Sequence, residues 1–259
     1  MEELTQETKT GELYTIGKLI QDSISVVKRD FRVLLEIALL SIIFSLIFDS
    51  FFYGGLAAAH RSDSFLSVFL SFLNVVIALF FAAAGISAIN NLSENRPITL
   101  SGSLRAAFEK YPFYLWVSIL TWLAVIGGLI LLIVPGIIFG VWFTFSGYTV
   151  MLEDRKGLSA LRRSKQLVKG NGWYVFVVFL ILYISYFALV GTSAGILWSI
   201  LHLITKTPLN FKFFIILFDV PAGIVVIPFT AACILLFKNL REVKGDAVIS
   251  VPYRFTAKK

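Results

Sequence analysis

The 259-residue chain has one cysteine, two histidines and two methionines, and only 15% of its residues are charged. Each shortage excludes a class of protein. Cys233 stands alone inside an apolar run, so a disulfide scaffold is ruled out. His60 and His202 are far apart and have no Cys or His neighbour at ligand spacing, which argues against a metal site. A soluble domain carries about 25% charged residues, so one soluble globule of this length is excluded. Disorder is excluded too, because it requires few aromatics and 15% of this chain is Phe, Trp or Tyr. No glycine loop of the phosphate-cradling kind is present, and no serine has a His–Asp context. The sequence therefore predicts a non-enzymatic protein, with no catalytic residues, no metal and no cofactor.

What the chain has is apolar length, with 58% hydrophobic residues and 25 Phe. A helix needs about 20 apolar residues to cross a bilayer. Six runs qualify or nearly do: Phe31–Tyr53, Phe65–Ile89, Phe113–Val134, Gly136–Leu152, Trp173–Ile204 and Phe213–Phe237. The third and fourth meet at Val134-Pro135-Gly136, a strong turn signal, which predicts a tight hairpin with a short fourth span. Gly191 and Gly195 interrupt the fifth run, so its last turns are expected to bend along the outer surface. The fold class predicted is an all-α membrane protein with six transmembrane helices in three hairpins.

The formal charge of +7 is distributed unevenly. Twenty of the 23 Lys and Arg fall in the N-terminal arm, the loops after spans two and four, and the C-terminal tail. Only Arg61, Lys206 and Lys212 lie on the other side. The positive-inside rule then puts both termini in the cytoplasm and the protein in the plasma (cytoplasmic) membrane. The excess charge needs no nucleic-acid partner. Met1-Glu2-Glu3 lacks the basic region of a signal peptide, so none is expected.

A short pattern recurs after spans two, four and six: Leu92-Ser-Glu94-Asn-Arg96-Pro97, Leu152-Glu-Asp154-Arg-Lys156-Gly157 and Leu240-Arg-Glu242-Val-Lys244-Gly245. Each reads Leu, any residue, acid, any residue, base, then Pro or Gly. An amphipathic stretch precedes each hairpin. Leu13, Ile16, Leu19, Ile20 and Val27 mark the first. Leu100, Leu104, Ala107, Phe108 and Tyr111, behind a capping Thr99, mark the second. In the third, Leu158, Leu161 and Val168 line one side, and Arg162, Arg163 and Gln166 the other. The predicted unit is one cytoplasmic interfacial helix plus one hairpin, repeated over about 13–97, 98–157 and 158–245, with 246–259 as a cytoplasmic tail.

The segment Pro135-Gly-Ile-Ile, Glu153-Asp154, Ala160-Leu-Arg-Arg-Ser164, Leu167-Val-Lys-Gly170 and Trp173 resembles the membrane domain found beside some glycerophosphodiester phosphodiesterases, and its stand-alone six-span relatives. The resemblance implies a membrane domain without the soluble phosphodiesterase barrel, and no assigned activity.

Ionisable groups inside spans are expensive and are functional candidates by default. Asp49 and Asp219 lie in apolar runs, nearer the outer surface, and Asn74 lies in the second span. Pro221 and Pro228 are expected to kink the sixth span and free carbonyls beside Asp219, which makes these residues a candidate ion or substrate site. Glu36 pairs structurally with Arg32 or Arg29. Gly136/Gly140, Gly191/Gly195 and the Ala82–Gly85 cluster permit close helix contacts, within the bundle or in a homo-oligomer. Arg155, Lys156, Arg162, Arg163 and Lys169 are the candidate contacts for anionic lipid. Two readings follow: a lipid-interacting scaffold or accessory module with membrane lipids or a membrane protein as partners, and a small transporter or channel using the acidic site.

Overall fold

Every apolar run forms a helix, because in a chain this poor in charge only internal hydrogen bonding satisfies the backbone. The computed structural model describes the backbone of residues 12–58, 64–205 and 211–245, and the side chains of these except 49–58, 64–67, 205 and 211–217. Nine helices fill the described residues, with no strand among them: α1 (Ile16–Arg29), α2 (Phe31–Ala58), α3 (Ser64–Ser93), α4 (Leu100–Leu131), α5 (Ile133–Phe143), α6 (Ser146–Glu153), α7 (Leu158–Val168), α8 (Gly172–Thr205) and α9 (Phe211–Val243). Six segments are long and apolar enough to cross a membrane, α5 and α6 counting together as Ile133–Glu153. Much of their surface is exposed hydrocarbon, such as Ile47, Val68, Trp122 and Ile184. The chain is therefore a multi-pass membrane protein.

α9 is the centre of the packing. Ala231 and Ile234 belong to one core with α2, α3, α4 and α6, while Cys233, Leu236, Phe237 and Leu240 belong to a second with α5, α6, α7 and α8. The second core closes around Phe145, whose ring meets Tyr148, Phe179 and Phe237 at centroid distances of 5.7–6.0 Å.

The chain reverses between α4 and α5, but at Leu132 rather than at Pro135-Gly136. Leu132 is extended (φ −164°, ψ 152°), and its N–H still donates to Gly128 O at 3.0 Å. Pro135 sits in the first turn of α5, where a missing N–H costs nothing. Glycine is required beside this turn. A Cβ on Gly128 would lie 2.9 Å from the Gly136 Cα, so residues eight apart touch backbone to backbone.

Two further expectations need correcting. The stretch before the third span is not a separate helix. Thr99 caps it as expected, accepting from Gly102 N at 3.2 Å, but α4 then runs unbroken through Pro112. The other two stretches are separate because residues leave helical geometry after them: Asp30 (φ −148°, ψ 70°) and Gly170 (φ +91°). α8 is likewise continuous through Gly191 and Gly195, so it is one helix of 34 residues. Among the described residues, a Cβ on Gly85, Gly140, Gly191 or Gly195 would meet nothing within 4 Å, whereas Gly136 does make a close helix contact.

Candidate functional site

The polar chemistry gathers at one end of the bundle, where α3, α6 and α9 finish and α4 and α8 begin. Helix ends leave carbonyls unpaired, and here basic side chains meet them. Lys110 donates to Met151 O at 2.8 Å and lies 2.6 Å from Asp154 Oδ1. Lys244 donates to Lys169 O at 2.5 Å. Lys238 reaches Ser93 Oγ at 2.7 Å and Glu94 Oε1 at 3.1 Å, and Glu94 also holds Arg96 at 3.0 Å. Asn239 ties down the N-terminal arm: its Oδ1 accepts from Tyr14 N and its Nδ2 donates to Glu12 O, both at 3.0 Å. Burial, with the Asp22 carboxylate adding, pushes the Tyr14 phenol up to about 12, so it stays neutral.

The three recurrent turns are not alike here. The positive-φ residue is Asn95 within the first, Asp154 and the closing Gly157 in the second, and the closing Gly245 in the third. Glu94 pairs with the base of its own copy, whereas Asp154 pairs with Lys110 rather than Lys156. Lys156 instead sits over the Phe113 ring, 3.9 Å from its centroid.

α7 presents two faces. Ala160, Leu161, Ser164, Leu167 and Val168 are buried. Ser164 donates to Trp142 O at 2.7 Å and accepts from Phe145 N at 3.1 Å, joining the break between α5 and α6. The exposed stripe runs Leu158, Arg162, Lys165 and Lys169, at spacings of four, three and four. Arg155 and Lys156 are exposed beside it, and Trp173 follows at 78% exposure.

Arg163 is not part of that stripe. It turns inward onto Glu153, because its position in α7 faces the end of α6. Leu158 likewise lies on the exposed side, not with Leu161. The sequence reading overlooked Lys165, although the spacing from Arg162 and Lys169 carries the signal.

Asp219 lines a cavity of about 320 Å³ between α2, α3 and α9, closed at one side by Tyr186 of α8. Besides Asp219 and Tyr186, the hydroxyl residues Ser41, Ser45 and Thr230 share its largely apolar wall. Asn74 is half-buried one turn before Ala78 on α3 and is not part of the wall. Asp49 lies on α2 one turn beyond Ser45, and its side chain falls outside the described residues. His60 falls outside them as well. Pro221 and Pro228 lie inside α9, which continues through both and leaves the carbonyls at 217 and 224 without their helical donors. Glu36 pairs with Arg32 at 3.2 Å, on the surface. Among the described residues, no three His, Cys, Asp or Glu side chains come together as a metal site.

Residues 62–237, more than half of the chain, match a domain of unknown function, DUF7847. The chain belongs to the DUF7847 family. No curated protein and no solved structure matches it. The DUF7847 segment takes in α3 to α8 and most of α9. It contains the α7 stripe and Asp219, while α1, α2 and Asn239 lie outside it.

Proposed function

We propose that this DUF7847 protein is a non-enzymatic module of the plasma membrane that organises lipids, or serves as an accessory subunit, through its basic end. The observation that carries this reading is the exposed stripe Arg162, Lys165 and Lys169, flanked by Arg155, Lys156, Leu158 and Trp173. Cations beside an anionic leaflet are worth about 1 kcal/mol each, and exposed Leu and Trp anchor such a surface at headgroup depth. On this reading the basic end is cytoplasmic and the helices form three hairpins, with α1 and α7 at the interface. The pairing of Asn239 with residues 12 and 14 supports termini on one side. Kinship with the membrane domain beside glycerophosphodiester phosphodiesterases is proposed on the same footing, from Pro135 to Trp173.

Native mass spectrometry tests the lipid reading. The protein released from mixed micelles should retain phosphatidylglycerol over phosphatidylcholine, and Arg162→Gln with Lys165→Gln and Lys169→Gln should remove that preference. An unchanged preference would sink it. Sidedness is tested in a Cys233→Ala background: Arg162→Cys should react with impermeant maleimide only from inside the cell, and Lys206→Cys only from outside.

A second reading, a small transporter or channel, is favoured by the Asp219 cavity with its four hydroxyl residues, Ser41, Ser45, Tyr186 and Thr230. It predicts that vesicles holding the protein dissipate an imposed pH gradient, and that Asp219→Asn stops this. Vesicles as tight as protein-free ones would exclude proton coupling.

A further inference from the structure

A second cavity, of about 450 Å³, opens where α3 ends and α4 begins, against the last turn of α6. That volume lies within the roughly 300–1,000 Å³ of small-molecule sites. Ile98, Ala106, Met151 and Leu152 give it an apolar part. Its polar part is mostly donor. Lys110 is held at the wall by Asp154 and Met151 O, with 16% of its side chain exposed. Arg96 meets Glu94 through Nη2 at 3.0 Å, and a guanidinium offers five donors in a planar fork suited to phosphate. Thr99, Gly102 and Ser103 belong to the start of α4, whose end carries the positive pole of the helix dipole, although the Gly102 and Ser103 amides are already met by Thr99 Oγ1 and Thr99 O.

The facing carboxylates do not cancel this field. Glu94 is shared between Arg96 and Lys238, and Asp154 is 64% exposed on its side chain. One acceptor in the wall is unmet: Asn90 Oδ1 is buried without a hydrogen-bond partner. A buried amide oxygen without a donor is costly, so the occupant that fits carries an N–H or O–H beside its anion.

We propose that this cavity binds a phosphate ester bearing a hydroxyl or ammonium donor, with Arg96 and Lys110 on the phosphate and Asn90 on the donor. The chemistry is shared by a phospholipid headgroup and a soluble phosphate ester. It does not rest on the lipid reading of α7, whose stripe uses other residues.

The full-length protein in detergent would be titrated calorimetrically with phosphoethanolamine and with dihexanoyl phosphatidylethanolamine. Saturable binding of the lipid alone assigns a headgroup site, and saturable binding of the soluble ester assigns a metabolite site; both support the proposal. Arg96→Gln should weaken binding at least tenfold, and Ala106→Trp, which fills the cavity without touching its charges, should abolish it. The phosphatidylcholine analogue, which lacks an N–H, should bind more weakly than the ethanolamine lipid, and Asn90→Ala should erase that difference. Arg162→Gln with Lys169→Gln should leave the titration unchanged, so failure here is distinct from failure of the α7 reading. No saturable binding by either probe, or binding indifferent to both Arg96→Gln and Ala106→Trp, overturns the proposal.

Discussion

Arg163 grips Glu153 with both arms of its fork: Nε donates to Oε2 at 2.9 Å and Nη2 to Oε1 at 3.2 Å. Arg241 Nε also lies 3.2 Å from Oε1, but its N–H is not aimed at an acceptor. One carboxylate, 10% exposed, thus restrains two guanidinium groups from α7 and α9. Removing a shared partner from a buried cluster leaves uncompensated charge, at a cost of about 3 kcal/mol. Glu153→Gln should therefore lower the melting temperature in detergent by several degrees. Arg163→Ala should cost less, because Arg241 keeps its partner; an equal or larger loss would refute this division of roles.

Ser164 explains how a helix break survives inside the bundle. Between α5 and α6 the chain leaves helical bonding, and Ser164 supplies an acceptor to Phe145 N and a donor to Trp142 O. Phe145 and Ser164 are fully buried and Trp142 is half-buried, so water does not readily replace these bonds. Ser164→Ala would strand both backbone groups, costing about 1–3 kcal/mol. Gln166→Ala, on the exposed side of the same helix, should cost under about 0.5 kcal/mol. Parallel thermal denaturation of the two variants checks this, and equal stability would remove the bridging role.

The spans were legible because they depend only on apolar length, and all six runs became helices. The turn at Leu132 was not. Pro and Gly mark where a chain is able to turn, but the close contact of Gly128 with Gly136 decides where it does. Helical spacing placed α7, yet it could not show that Arg163 faces an acid ten residues back rather than lipid. That pairing depends on how α6 and α7 meet, and the cluster of Arg96 and Lys110 depends on how α3, α4 and α6 meet. Asp219 was readable as an intramembrane carboxylate; the cavity wall around it needs α9 packed against α2 and α3, which lie far from it in sequence.

Asn239 holds residues 12–14 much as a neighbouring strand would, accepting from Tyr14 N and donating to Glu12 O. Tyr174 adds a bond from its hydroxyl to Tyr14 O at 2.5 Å. Asn239→Leu keeps the volume and removes both amide bonds, leaving the Tyr14 N–H without its acceptor. Hydrogen exchange at Tyr14 should accelerate at least tenfold in that variant, while amides in the middle of α9 stay protected. Unchanged exchange would mean that packing of α1 alone holds the arm.

The turn at Leu132 carries no polar side chain: Ile130, Leu131, Leu132, Ile133 and Val134 are each at least 65% exposed. Five consecutive apolar residues in water would be a large and costly patch. In hydrocarbon the constraint falls on the backbone instead, since unpaired amides are not tolerated there. The turn meets it in part: Leu132 N donates to Gly128 O and Gly136 N to Leu132 O at 3.3 Å, and Pro135 has no N–H, while the Ile133 and Val134 amides that begin α5 have no acceptor among the described residues. The turn should therefore lie within the bilayer rather than in the water beyond it. A nitroxide on Leu132→Cys, in a Cys233→Ala background, should be relaxed strongly by oxygen and weakly by a water-soluble nickel chelate. A nitroxide on Arg162→Cys should show the reverse order. Nickel accessibility at position 132 equal to that at 162 would place the turn in water and require another partner to cover its apolar tip.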